Sequence, residues 1–309
     1  MRVVVVATGD IALPTWEWLL NSPWRILALV TQPDKPAGRG MRLTPPQIKL
    51  RAIEAGIPVM QPESLRRKSA IDAVAELKPD LIIVMAYGQI LNQRFLEIPS
   101  LGCINVHASL LPKYRGASCI QAALDHGDAE TGITIMHMVR ALDAGDLILQ
   151  KTQSISPEDT GESLHDSLAR LAPLALADAM NLLHEGNARR IPQNEDEVSY
   201  VGKLTREHGR LDWTQSSVDI ERRIRAYHPW PGTFATLEQG TRVKIFPSTR
   251  SMDHVAIPPG QGEIRDQQVL IGCGSGALVI TQVQAEGAKR MSAIDFANGI
   301  RGGLRFAVT

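Results

Sequence analysis

Short apolar runs alternate with amphipathic stretches over roughly the first 185 residues of the chain. Residues 3–7 (Val-Val-Val-Val-Ala), 26–30, 81–85, 103–106 and 133–138 are dense in apolar residues and only four to six residues long. Runs of that length and texture predict strands buried on both faces. Between them, residues 15–20, 46–55 and 70–77 place apolar side chains at helical spacing. The alternation predicts an α/β fold with a doubly wound, mostly parallel sheet and helices on both faces. Ligands of such sheets sit beyond the carboxyl ends of the strands, where strand order reverses. A long helix is predicted after Asp159. Asp159 and Glu162 have capping-box spacing, and Leu164, Leu168 and Leu171 form its apolar stripe. Pro173 should kink or interrupt it, because proline lacks the N–H that a helix interior needs.

The texture then changes. Residues 186–197 are polar and aperiodic and read as a linker. After a helical pattern at 217–226 come short runs rich in Val, Ile and Thr at 233–237, 241–246, 262–265, 269–272 and 277–284. Five short strands separated by Gly and Pro predict a small β-barrel. A chain of 309 residues suits two cores. The expected division is therefore 1–188, a linker at 189–207, and 208–309.

Composition narrows the setting. At 44% hydrophobic the chain is ordinary for a globular protein, and no stretch approaches the ~18 unbroken apolar residues of a membrane span. No membrane partner is expected. The run after Met1-Arg2 is too short for a signal-peptide core and is followed by no small-residue cleavage site. Three scattered cysteines, Cys103, Cys119 and Cys273, give no disulfide framework, which fits a reducing cytoplasm. The 33 basic and 33 acidic residues cancel, yet residues 203–309 hold 14 and 10 of them (+4), leaving 19 and 23 (−4) for the rest. That asymmetry fits a polyanion touching the C-terminal part, and equally an uneven solvated surface.

The chemistry concentrates in Asn105-Val106-His107-Ala108-Ser109-Leu110-Leu111-Pro112-Lys113-Tyr114-Arg115-Gly116 and in Leu142-Asp143-Ala144-Gly145-Asp146. Asn105 and His107 straddle the end of a predicted strand. An amide and a protonated imidazole can stabilise a tetrahedral oxyanion. Asp143 can shuttle the amine's proton and hold His107 charged. Taken singly, each residue has a plain structural explanation: a turn cap, a semi-buried histidine, a turn aspartate. No histidine pair has metal-ligand spacing, so no metal is expected. Cys119 reads as a small hydrophobe.

Asn-x-His followed by Ser-Leu-Leu-Pro, with Leu-Asp-Ala-Gly-Asp downstream, resembles the formyltransferases that use 10-formyltetrahydrofolate. Thr31-Gln32-Pro33-Asp34-Lys35-Pro36-Ala37-Gly38-Arg39-Gly40 narrows the likeness to the methionyl-tRNA formyltransferase branch. The resemblance implies a Rossmann-like catalytic domain, an oligonucleotide-binding-like barrel that supports tRNA, and catalysis by Asn105, His107 and Asp143. It implies a folate pocket lined by Met85, Ala86, Tyr87, Gly88 and Leu91 and by Ser109, Leu110, Leu111 and Pro112. It also implies that Lys35, Arg39 and Arg42 contact tRNA from an unstructured basic loop. The implied activity is formyl transfer from 10-formyltetrahydrofolate, as cosubstrate, to the amino group of methionyl initiator tRNA. A monomer is expected. Trp213 and Trp230 are stacking candidates, with core packing the commoner fate of a large aromatic.

The chain departs from the family pattern at Ala7-Thr8-Gly9-Asp10-Ile11-Ala12, at Ala117-Ser118-Cys119 and at Val139-Arg140-Ala141. These changes keep open a related formyltransferase acting on an amino-sugar nucleotide, or a 10-formyltetrahydrofolate hydrolase. A nucleotide-binding dehydrogenase should show Gly-x-Gly-x-x-Gly after its first strand; only Gly9 stands there.

Overall fold

The computed structural model describes every residue except Gly38, Arg39, Ser248 and Thr309. The chain divides into two compact units. The first comprises Met1–Cys119, Glu130–Ser154 and His165–Val201, and the second Ile120–Ala129, Ile155–Leu164 and Gly202–Thr309. Of the stretch 189–207, the residues up to Val201 thus belong to the first unit.

The first unit is built on a seven-stranded sheet. Its order is Leu147–Ser154, Glu130–His137, Cys103–His107, Leu81–Met85, Arg2–Ala7, Arg25–Val30 and Val59–Met60. Five neighbouring strands pair in parallel; Glu130–His137 runs against them, and Leu147–Ser154 pairs antiparallel with Glu130–His137. The five apolar runs expected to be strands are all present. The edge strands at Val59–Met60 and Leu147–Ser154 escaped the sequence because one is two residues long and the other is largely polar. Arg2–Ala7 and Leu81–Met85 are neighbours, and the chain winds outward from them in both directions. Their carboxyl ends therefore form the switch point. There the Gly9 amide donates to the Ala86 carbonyl at 3.1 Å.

Three local expectations need correction. The long helix runs unbroken as Gly161–His184 through Pro173. Its stripe of Leu168, Ala172, Ala175, Leu176, Ala179 and Met180 is buried, and packing outweighs the one hydrogen bond that proline removes. Its cap lies one residue later than the spacing suggested. Thr160 Oγ1 accepts from the Ser163 amide and Ser163 Oγ from the Thr160 amide, while the Asp159 carboxylate accepts from Ser163 Oγ. Finally, the basic segment is a two-stranded hairpin of Lys35–Ala37 and Arg42–Thr44. Its base is anchored by Asp34, which accepts from Gln61 and Lys49.

The second unit holds two four-stranded antiparallel sheets. One consists of Thr233–Thr236, Arg242–Ile245, Gln282–Ala285 and Met291–Ser292, the other of Arg250–Met252, Ala277–Ile280, Gln268–Gly272 and Gly262–Arg265. The run 277–284 divides at Thr281 and serves both sheets. Ala235, Val243 and Ile245 of one sheet share a core with Val269, Ile271, Leu278 and Ile280 of the other. Trp213 is fully buried in that core beside Phe306, whereas Trp230 is 52% exposed.

Candidate functional site

The Cys103–His107 strand ends beside the switch point and carries Asn105 and His107 to its carboxyl end. Asp143 reaches the same place from the loop between the Glu130–His137 and Leu147–Ser154 strands. The structure brings the three side chains together. Asn105 Nδ2 lies 3.4 Å from Asp143 Oδ1. The Gly116 amide donates to Asp143 Oδ2 at 2.8 Å. His107 Nδ1 stands 3.8 Å from that same oxygen. The arrangement thus gives one carboxylate a firm backbone donor and faces it with an amide and an imidazole.

His107 is buried and its other nitrogen is committed. Nε2 lies 3.0 Å from the Tyr114 carbonyl oxygen, which can only accept, so Nε2 carries a hydrogen. Burial alone would discharge the ring. The Cys119 side chain hydrogen-bonded to it, the Asp143 carboxylate and the Tyr114 carbonyl outweigh burial and raise its pKa to about 9. Cys119 is therefore more than the small hydrophobe its sequence setting suggested. It is a buried partner of His107. No sequence signal pairs the two, because they are brought together by the loop at 109–118.

The backbone around Asp143 is tightly determined. Asp143 itself has φ +48°, a left-handed conformation rare outside glycine. A Cβ on Gly145 would lie 1.7 Å from the His137 carbonyl oxygen, so only glycine fits there. Gln193, from the polar stretch, donates to the carbonyls of both Asp143 and Gly145 at 2.8 Å. Arg115, almost fully buried, donates to Gln193 and pairs with Glu195 at 2.8 Å. Neither residue carries a sequence signal for this role: Arg115 sits within a longer motif, and Gln193 in a polar, aperiodic stretch.

The expected folate-binding residues fall into two groups. Ala86 and Gly88 are exposed at the end of the Leu81–Met85 strand, both at positive φ, and Leu110 and Pro112 are half-buried. The side chains of Met85, Tyr87 and Leu91 are buried, the latter two in the hydrophobic core. Ser109 and Leu111 are buried as well. Ser109 Oγ donates to the Lys113 carbonyl at 2.6 Å, and Thr134 Oγ1 both donates to the Ser109 carbonyl and accepts from the Leu111 amide. Buried members thus shape the backbone, while an exposed lip of Ala86, Gly88 and Ile90 offers apolar surface for a flat heterocycle. That lip and its left-handed turns fit a folate ring.

Lys35 and Arg42 are exposed on the two strands of the hairpin. Arg39 lies outside the described residues. The departures at Val139, Arg140 and Ala141 are exposed. Gly9 belongs to the switch point: a Cβ there would sit 3.0 Å from that of Ala86.

Comparisons with known proteins give the family. Residues 1–180 match the "Formyl transferase" family and residues 203–301 the "Formyl transferase, C-terminal domain" family. A methionyl-tRNA formyltransferase of Akkermansia muciniphila is 49% identical over 94% of both chains. One from Marinobacter nauticus is 46% identical over 97% of this chain and 96% of that one. Among solved structures, an N-formyltransferase of Helicobacter canadensis, in complex with folinic acid and dTDP-3-aminofucose, superposes with TM-score 0.69 at 17% identity. It covers 94% of this chain and all of that chain. HypX from Aquifex aeolicus, in complex with tetrahydrofolic acid, gives TM-score 0.66 at 18% identity over 99% of this chain, which spans half the length of HypX. Both solved structures share the fold. With both domain families matched in order and relatives near half-identical along its length, the chain belongs to the formyl transferase family, in its methionyl-tRNA formyltransferase group.

Proposed function

We propose that this protein transfers the formyl group of 10-formyltetrahydrofolate to the free amino group of methionyl initiator tRNA. The observation that carries the proposal is the convergence of Asn105 and His107 on Asp143 beside the exposed apolar lip at 86–90. Asp143 takes the proton that the attacking amine loses, directly or through one water. The Asn105 amide carries a second N–H, the donor for the oxyanion that develops on the formyl oxygen. A positively charged His107 adds to the field at that oxygen. Asp143 then returns that proton, directly or through the same water, to the folate nitrogen as its bond to the formyl carbon breaks and the new amide forms. A formyl group already activated on nitrogen requires oxyanion stabilisation and proton transfer, which this chain's residues supply.

Lys35, Arg39 and Arg42 are the residues assigned to the tRNA backbone, with residues 208–309 as a supporting domain. A hairpin with exposed basic side chains suits a phosphate-lined groove. Three free cysteines fit a cytoplasmic protein, and a monomer is sufficient for the chemistry.

The test follows a labelled formyl group from 10-formyltetrahydrofolate with methionyl initiator tRNA, elongator methionyl-tRNA and buffer alone. Label on the initiator species alone is the expected result. Formate released without tRNA, or no turnover with either tRNA, would overturn the proposal in favour of a hydrolase or an amino-sugar acceptor.

A further inference from the structure

We propose that Gln193 is a positioning residue for Asp143, completing a clamp in which residues 115 and 116 hold both ends of the aspartate. The inference rests on the reading of Asp143 as the proton-handling group. Gly116 donates its amide to the Asp143 side chain. The preceding residue, Arg115, reaches the Asp143 main chain through one intermediary. Its Nε and Nη2 donate to Gln193 Oε1 at 3.0 and 2.9 Å, and Gln193 Nε2 donates to the Asp143 and Gly145 carbonyls.

The orientation of the Gln193 amide follows from chemistry. Arginine has only donors, so the oxygen must face Arg115 and the NH₂ must face the two carbonyls. Arg115 is itself held. It is 1% exposed, pairs with Glu195 and donates to the Tyr200 hydroxyl at 3.2 Å, and its backbone amide donates to the Ser199 carbonyl at 2.8 Å. The stretch 193–201 is therefore a strap over the Asp143 loop, and Gln193 is where it grips. A residue at φ +48° returns to ordinary backbone unless its surroundings over-determine it. The two bonds from Gln193, one on either side of Ala144, supply that determination.

The experiment uses the full-length protein and three variants. Gln193→Met keeps side-chain length and removes the donors. Gln193→Glu keeps the Arg115 pairing, and so the strap, while setting an oxygen against the two carbonyls. Asp143→Asn tests the reading beneath. Formyl transfer is followed as separate kcat and KM values, with the thermal midpoint as a folding control. Both Gln193 variants should lose kcat by roughly tenfold to a hundredfold. Their KM values for folate and tRNA should stay within about twofold. A kcat within about twofold of the unaltered protein in both Gln193 variants, beside an inactive Asp143→Asn, overturns the inference and leaves the site reading intact. Full activity in Asp143→Asn overturns the site reading, and the inference with it.

Discussion

The amide of Gly116 donates to Asp143 Oδ2 at 2.8 Å while its own α-carbon faces the Val201 carbonyl so closely that a Cβ would stand 2.1 Å from that oxygen. The same glycine, at φ +120°, thus lies between the carboxylate and the Tyr200–Val201 strand. Gly116→Ala should force that strand away, tilt the amide off the carboxylate and destabilise the fold by about 1–3 kcal/mol. Denaturant unfolding and kcat, measured together, check this. Unchanged stability with unchanged kcat would show that the contact is relaxed at no cost.

His107 gives a pH dependence with a definite sign. Its folded pKa, raised from 6.5 to about 9, lies above its unfolded value. The stability it contributes is fully present below the ordinary value and is lost as pH rises through 9. Activity should follow the same direction, falling on the alkaline side as the ring discharges. Cys119→Ala removes one of the groups that favour the charge, so the alkaline limb should move to lower pH. A limb that stays where it was, in an otherwise folded variant, would remove Cys119 from the account.

The sequence made the central strands and the placing of Asn105 and His107 at a strand end legible for one reason: each signal was local. A buried parallel strand announces itself as an apolar run, and Asn105 and His107 are two residues apart. What was not legible depended on partners distant in sequence. The Leu147–Ser154 edge strand is polar on one face because only its other face is covered. The strap at 193–201 looked like a linker because its bonds go to Asp143, Arg115 and Gly116 instead of to its own neighbours. Pro173 misled because local propensity yields to a buried stripe.

The hairpin at 35–44 predicts a particular salt behaviour. Lys35 and Arg42 are exposed, and phosphate contacts carry affinity without sequence information. Lys35→Ala and Arg42→Ala should each weaken tRNA binding and lower the slope of log Kd against log salt by about 1. Folate binding should be untouched. A salt slope equal to that of the unaltered protein in both variants would place the tRNA elsewhere.

The two conspicuous tryptophans of the second unit should separate by readout. Trp213 is fully buried against Phe306, in the core the two sheets share, and its Nε1 finds no partner among the described residues. Its stacking role as a platform for bases is therefore excluded by burial. Trp213→Ala should cost about 3–5 kcal/mol, much of it from the cavity left in a core that cannot collapse fully. Trp213→Phe should recover a large share, since the indole nitrogen contributes no bond to lose. Trp230, half-exposed, should behave in the opposite way. Trp230→Ala should change the unfolding free energy by no more than about 1 kcal/mol. If that surface meets the RNA, the loss of one stacked base should weaken tRNA binding by about 1–3 kcal/mol. Chemical denaturation of both variants beside a tRNA titration decides the matter. A stable Trp213→Ala would mean that this core repacks, and unaltered tRNA affinity in Trp230→Ala would leave that ring as solvent-facing surface.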